Sequence, residues 1–182
     1  MKTKEFTKQP STEELTDEQL LAEIEEFRAK YPDCPEEKPI PVLDMLSKRE
    51  NAEAILRGEK TVEYREWIPV NAKDVLDQEI CDFLDRHIDD EEVMSALDNY
   101  FSEIRIVDTI HFHSYNNSWY LDVEVIDNGW IAITPEEVKY MQETYNCRDI
   151  AKLHKKVKQA KLVEPPVYFY FAFGKVIKTN LN

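Results

Sequence analysis

Glycine is nearly absent: three residues in a chain of 182. A glycine-rich phosphate loop or a nucleophile elbow of the G-x-S-x-G kind has nothing to be built from, so nucleotide-loop and serine-hydrolase chemistries are excluded at the outset. Cysteine is equally scarce. Cys34, Cys81 and Cys147 are far apart with no CxxC spacing, which argues against a disulfide framework and against a cysteine zinc site. No apolar stretch reaches the roughly 18 residues of a membrane span. The opening MKTKEFTKQPSTEEL carries no apolar run of the secretory type. A soluble, cytoplasmic protein with no membrane partner is expected.

Positive charge is also in deficit, with 37 acidic against 23 basic residues and a formal charge of −14. That balance disfavours indiscriminate nucleic-acid binding, because phosphate contacts need a cationic face. The average conceals an uneven distribution. Residues 73–103 hold 11 acids against Lys73 and Arg86 alone. In 148–161 the balance reverses: Arg148, Lys152, Lys155, Lys156, Lys158 and Lys161 face only Asp149.

What is present suffices for one ordinary core, since 42% of residues are hydrophobic and 11% aromatic. The first dozen residues are polar and expected to fray. Leu20, Leu21, Ile24 and Phe27 recur at helical spacing, so a helix is predicted over 16–31 with Thr16 as its cap. Pro32, Pro35, Pro39 and Pro41 then force an extended connector, and 1–41 reads as an N-terminal helical extension to a domain spanning 42–182. A strand at 42–46, a helix at 49–57 and a strand at 61–67 follow, with Gly58 placed for a left-handed helix stop. The acidic stretch, about 71–103, reads as a two-helix insertion. Strands are expected at 104–115 and 119–126 around an Asn116-Asn117-Ser118 hairpin, with a second tight turn at Asp127-Asn128-Gly129 leading into 130–133. Thr134-Pro135-Glu136-Glu137 opens a helix to about residue 145. A basic helix over 148–161 and a last strand over 167–177 complete an α+β fold, expected to be a small mixed β-barrel wrapped by helices.

The chemistry concentrates in Gly58-Glu59-Lys60-Thr61-Val62-Glu63-Tyr64-Arg65. Glu63 and Arg65, two apart on a strand, share a face, and Lys60 sits at the hinge beside them. One carboxylate between two cations can recognise a base edge and an anion together. A desolvated Lys60 is a candidate proton acceptor. The plain alternative is a surface ion pair of little energetic worth.

The spacing GxKxxExR resembles the signature of the ASCH domain, a small PUA-like β-barrel. Four fixed positions at background usage of about 5–7% each recur by chance in only a few per thousand chains of this length. Ser47-Lys48 with Ala52, Ile55 and Leu56 resembles the family's entry to the motif. His113-Ser114-Tyr115 resembles its next strand pair, and Phe169-Tyr170-Phe171-Ala172-Phe173 its last strand. The likeness covers 42–70 well and 104–177 loosely, leaving the extension and the acidic insertion outside. It implies a charged cleft beside the barrel that binds RNA or a modified nucleoside. Lys60, Glu63 and Arg65 would line it, with Lys48 near and His113 and Ser114 reaching in. Some family members deacetylate acetylcytidine with a lysine at the position of Lys60 and a threonine three residues later. Here that later position is Glu63, so the hydroxyl is missing. Those enzymes also use a later glutamate, for which Glu136, Glu137 and Glu143 are available. Others are linked to cleavage of single-stranded RNA.

Three functions stay open on this reading. The first is a module binding RNA or a nucleoside. The second is a hydrolase with Lys60 as base and Glu63 orienting it. The third is an interaction module whose acidic insertion takes a protein partner. Lys152, Lys155, Lys156 and Lys158 are candidates for steering an RNA backbone, or they neutralise the insertion. Tyr115, Trp119, Trp130 and Tyr168 are able to stack a base, although bulky residues at alternating strand positions ordinarily belong to the core. His111 and His113 alternate on one strand face as metal ligands do, but no third ligand stands at suitable spacing. No metal and no cofactor is expected.

Overall fold

The computed structural model describes residues 16–99, 101–160 and 162–181; the expected frayed N-terminus and Lys161 lie outside them. These residues fall into two compact units, 16–36 with 79–102, and 37–78 with 103–181.

The smaller unit is helical. Helix α1 (Asp17–Lys30) begins at a reciprocal capping box between Thr16 and Gln19, which satisfies two otherwise orphaned amide donors. Helices α4 (Gln78–Arg86, all but its first residue in this unit) and α5 (Glu91–Asn99) carry the acidic stretch. Phe27, Tyr31, Phe83, Val93 and Ala96 form its core. The Tyr31 hydroxyl donates to Asp90 at 2.8 Å. Arg86 pairs with Asp33 and Lys30 with Glu92.

The larger unit is built on a five-stranded sheet of order β1-β3-β4-β5-β2. Its strands are β1 (Leu43–Leu46), β2 (Val62–Glu66), β3 (Thr109–His113), β4 (Tyr120–Ala132) and β5 (Val167–Thr179). β1 runs parallel to β3, and every other pairing is antiparallel. Register shifts between Asp122 and Asp127 bend the long β4–β5 pair. The sheet curls into a half-barrel, so the expected barrel is open along one seam. The two strands left at the edges are β1 and β2.

Helix α2 (Arg49–Leu56) and helix α3 (Pro69–Val75) cover one face, where Leu43, Ala52, Ile55, Val75, Ile110, Phe112, Leu121, Phe169 and Phe171 are buried together. Helices α6 (Pro135–Tyr145) and α7 (Ile150–Ala160) cover the other, against Val62, Ile131, Met141, Cys147 and Ala172. None of the three cysteines is in a disulfide; Cys34 and Cys81 are half-buried and Cys147 is buried.

Three local expectations need correction. The acidic region 71–103 holds most of α3 as well as α4 and α5, so it is not a simple two-helix insertion: α3 belongs to the sheet unit. Residues 104–108 are not strand; they make single bridges, Ile104 to Leu76 and Val107 to Ile40. Asp127-Asn128-Gly129 is no turn, because β4 passes straight through it. The tight two-residue hairpin turns need positive φ, which none of residues 127–129 adopts. The bulges re-aim the side chains instead. Asn128 accepts from the Val107 amide and donates to the Arg105 carbonyl, each at 3.0 Å, and Asp127 turns to the other face, where the Tyr145 and Tyr170 hydroxyls donate to it.

Candidate functional site: a cleft at the open seam

Gly58 adopts φ +68, and the amides of Gly58, Glu59 and Lys60 fold back onto the end of α2. This left-handed stop delivers the chain into β2. Alternation along β2 then sorts its side chains. Val62 and Tyr64 pack with α6 and α7, while Glu63 and Arg65 lie opposite Phe171 and Phe169 on the other face.

Glu63 is buried, one of two buried polar residues among those described. Its carboxylate is bracketed: Lys60 Nζ lies 3.0 Å from Oε2 and Arg65 Nε 3.0 Å from Oε1. The surface-pair alternative is excluded, because the Glu63 side chain is only 9% exposed and that of Lys60 14%. The Arg65 contact is an ion contact and not an aligned hydrogen bond, since Nε has no acceptor within hydrogen-bond geometry. Arg65 Nη2 donates to the Leu46 carbonyl at 3.1 Å. One side chain of β2 thus reaches across to β1, where a closed barrel would have ladder hydrogen bonds.

A cleft of about 360 Å³ opens at this seam. Leu43, Met45, Val75, Phe169 and Phe171 give it apolar walls, and Arg65, His113, Asn71, Asp44 and Asp74 supply its polar groups. Asn71 Nδ2 donates to the Glu66 carbonyl at 2.8 Å, fixing the start of α3 against the end of β2. Trp67 stacks on Phe169 with ring centroids 4.3 Å apart, which braces the wall from behind.

The expected site residues separate on this geometry. Lys60, Glu63 and Arg65 come together, but of the three only Arg65 lines the cleft. Lys60 is engaged with Glu63 behind it. His113 lines the opposite side, its Nδ1 within 3.0 Å of the Ser114 carbonyl and 2.9 Å of Asn117 Oδ1. A carbonyl can only accept, so Nδ1 carries the proton and Nε2 is the nitrogen left for other contacts. Ser114 is not in the lining; its hydroxyl accepts from the Ser118 amide and closes the hairpin, whose Asn117 takes φ 54. Lys48 is exposed at the start of α2 and does not line the cleft.

Lys152, Lys155, Lys156 and Lys158 are exposed on α7, and Glu136, Glu137 and Glu143 on α6. Both helices pack on the sheet face away from Glu63 and Arg65. Trp119 is core and Tyr115 is exposed at the hairpin. Among the described residues no group of three His, Cys, Asp or Glu is arranged to hold a metal. No described helix is long and apolar enough to cross a membrane.

Sequence reasoning missed Asp44, Asn71 and Asp74. Only the pairing of β1 with β3 and the seating of α3 bring them to the seam, and no local spacing encodes either.

The motif thus occupies the turn and edge strand of a curled five-stranded sheet with helices on both faces. The fold is α+β. No family model matches the chain, and no curated protein matches it. Among solved structures it is similar to a serine-to-alanine mutant of the ZmASCH protein from Zymomonas mobilis. The two share 13% identity and a TM-score of 0.39, over 77% of this chain and 75% of that one. At those values the likeness says nothing about site or activity.

Proposed function

We propose that this chain binds RNA or a modified nucleoside, seating one base in the cleft at the seam with Arg65 as its principal polar contact. The observation that carries the reading is the guanidinium itself. Glu63 anchors it from behind at Nε, the Leu46 carbonyl takes one N–H of Nη2, and the other Nη donors are left for a ligand at an apolar-walled cleft. Its volume lies at the small end of the roughly 300–1,000 Å³ typical of ligand sites, which suits a single nucleoside and not a duplex. Asp44 and Asp74 at the rim accept hydrogen bonds but repel phosphate, so recognition is of a base edge.

Binding without turnover is favoured over hydrolysis because Lys60, the expected base, is paired with Glu63 and does not line the cleft. Calorimetric titration of the wild type and of Arg65→Ala with nucleosides, including acetylcytidine, tests the reading. Wild-type binding that is lost in Arg65→Ala is the expected result, and equal binding by both would overturn it. Mass spectrometry of the same mixtures separates binder from enzyme: an unchanged ligand mass supports a binding module, whereas loss of the acetyl group makes the chain a hydrolase.

A further inference from the structure

A second concavity, of about 410 Å³, lies where the start of α6, the end of α7 and the segment 162–165 meet, all within the sheet unit. Ile133, Pro135 and Val157 give it apolar surface. Leu162 and Val163 form part of its wall, yet both are exposed, Val163 fully. That wall is held in place. The Ile133 amide donates to the Pro166 carbonyl at 3.0 Å, and Pro165 and Pro166 fix two successive φ angles. A groove fixed in this way loses little freedom when something enters it.

Charge beside the groove runs against the rest of the chain. Lys158 lines it, and Lys155, three residues earlier on α7, is its neighbour on the helix surface. Among the described residues neither makes an ion pair, whereas Lys152, a further turn back, is paired with Asp149. Glu164 is the single carboxylate in the lining. In a chain with 37 acids against 23 bases, two uncompensated cations beside an exposed aliphatic wall are complementary to a partner that is acidic and apolar at once.

The lining also discriminates between classes of partner. Sequence-tolerant nucleic-acid sites stack bases on aromatic rings, and no described aromatic residue lines this groove. Aliphatic walls are matched by an aliphatic side chain, which gains by leaving water. We propose that the groove is a docking site for an acidic peptide segment of a partner protein. One leucine-sized side chain of that segment enters among Ile133, Val157 and Val163, and its flanking carboxylates meet Lys155 and Lys158. The site is separate from the cleft at the seam and stands whether or not that cleft binds a base.

The test uses the full chain and the fluorescence anisotropy of labelled synthetic peptide pools. The first pool has a central leucine flanked by glutamate and aspartate, the second has alanine in place of the leucine, and the third has lysine in place of the acids. Wild type should bind the leucine pool, and the alanine pool about tenfold more weakly, the worth of burying one such side chain. It should not bind the lysine pool. Lys155→Glu with Lys158→Glu, and separately Val163→Glu, should each weaken the leucine pool by about tenfold or more. All three positions are exposed, and urea midpoints matching wild type verify that the variants fold. Arg65→Ala should bind the leucine pool as wild type does, which keeps this result apart from that of the cleft. Equal binding of the leucine and alanine pools would overturn the groove and leave only a cationic surface. No binding of the leucine pool would overturn the proposal outright, and two parallel measurements then name the occupant. Single-stranded RNA held by wild type and lost in the double lysine variant would assign the surface to nucleic acid. A concentration-dependent dimer that Val163→Glu returns to monomer would assign it to a second copy of the chain.

Discussion

Replacing Glu63 by glutamine keeps the side chain's shape and removes its charge, and the structure sets the consequence. Lys60 and Arg65 are then two cations held together with their anion gone. Removing one partner of a fully buried pair costs about 3–5 kcal/mol, mostly through the charge left uncompensated. Here the Lys60 and Arg65 side chains keep 14% and 32% of their exposure, so part of that penalty is relieved by water. A loss of about 2–3 kcal/mol is expected once that relief is allowed for. For a chain of this size that corresponds to about 4–12 °C in the unfolding midpoint. The assay is straightforward, because Trp67, Trp119 and Trp130 are the protein's three tryptophans and all lie in the sheet unit. Tryptophan fluorescence during urea or thermal unfolding therefore follows the sheet unit alone. Lys60→Met in the Glu63→Gln background should recover part of the loss, since it removes one of the two stranded charges. A Glu63→Gln midpoint within the roughly 0.5 kcal/mol typical of surface substitutions would refute the bracketed-carboxylate description, and the anchoring of Arg65 with it.

Gly58→Ala should cost about 1–2 kcal/mol from the left-handed backbone alone, because an added Cβ meets nothing within 4 Å; fluorescence-monitored urea unfolding checks it. Asn128→Ala strands the Val107 amide and the Arg105 carbonyl, both part-buried, and should cost about 1–3 kcal/mol in the same assay. In the helical unit, the Tyr31 hydroxyl bonded to Asp90 holds that carboxyl below its ordinary range. A carboxyl depressed on folding contributes stability above its unfolded pKa and loses it as pH falls through the folded value. Far-UV circular dichroism on acidification below the ordinary carboxylate range should therefore show a loss of helix that shifts to higher pH in Tyr31→Phe.

The sequence foretold best whatever is written locally. Thr16 and Gln19 cap α1 because a capping box needs only neighbours, and Thr134 accepts from the Glu137 amide for the same reason. Gly58 is left-handed where the helix-to-strand transition demanded it. Glu63 and Arg65 share a face because β alternation is local, and their partner Lys60 is three residues from Glu63. What failed was set by distant chain. Asp127-Asn128-Gly129 has the composition of a turn, yet pairing with β5, at ten positions between Val167 and Thr179, carries β4 through it with register shifts. Asp44 and Asp74 reach the cleft through a parallel strand pairing and a helix that follows Trp67, neither of which leaves a periodic signal. The burial of Glu63 between Lys60 and Arg65 likewise comes from the sheet, since Phe171 and Phe169 of β5 stand opposite Glu63 and Arg65.

The placement of charge also decides what kind of nucleic-acid binding this chain can have. The exposed lysines of α7 stand on the sheet face away from the cleft, and the cleft rim presents Asp44 and Asp74 with Arg65. With Asp44 and Asp74 at the rim and a net charge of −14, few phosphates could be neutralised near a base placed in the cleft. For a single strand, each neutralised phosphate adds about −0.7 to the slope of log affinity against log salt. No phosphate contact at the cleft predicts a slope near zero for nucleosides and a shallow one for short single strands. A steep slope, about −3 or beyond, would mean that four or more phosphates are held, and the α7 lysines are the cluster able to hold them. In that case Lys155→Glu with Lys156→Glu would abolish binding while Arg65→Ala would spare it, and the functional surface would be α7 and not the seam.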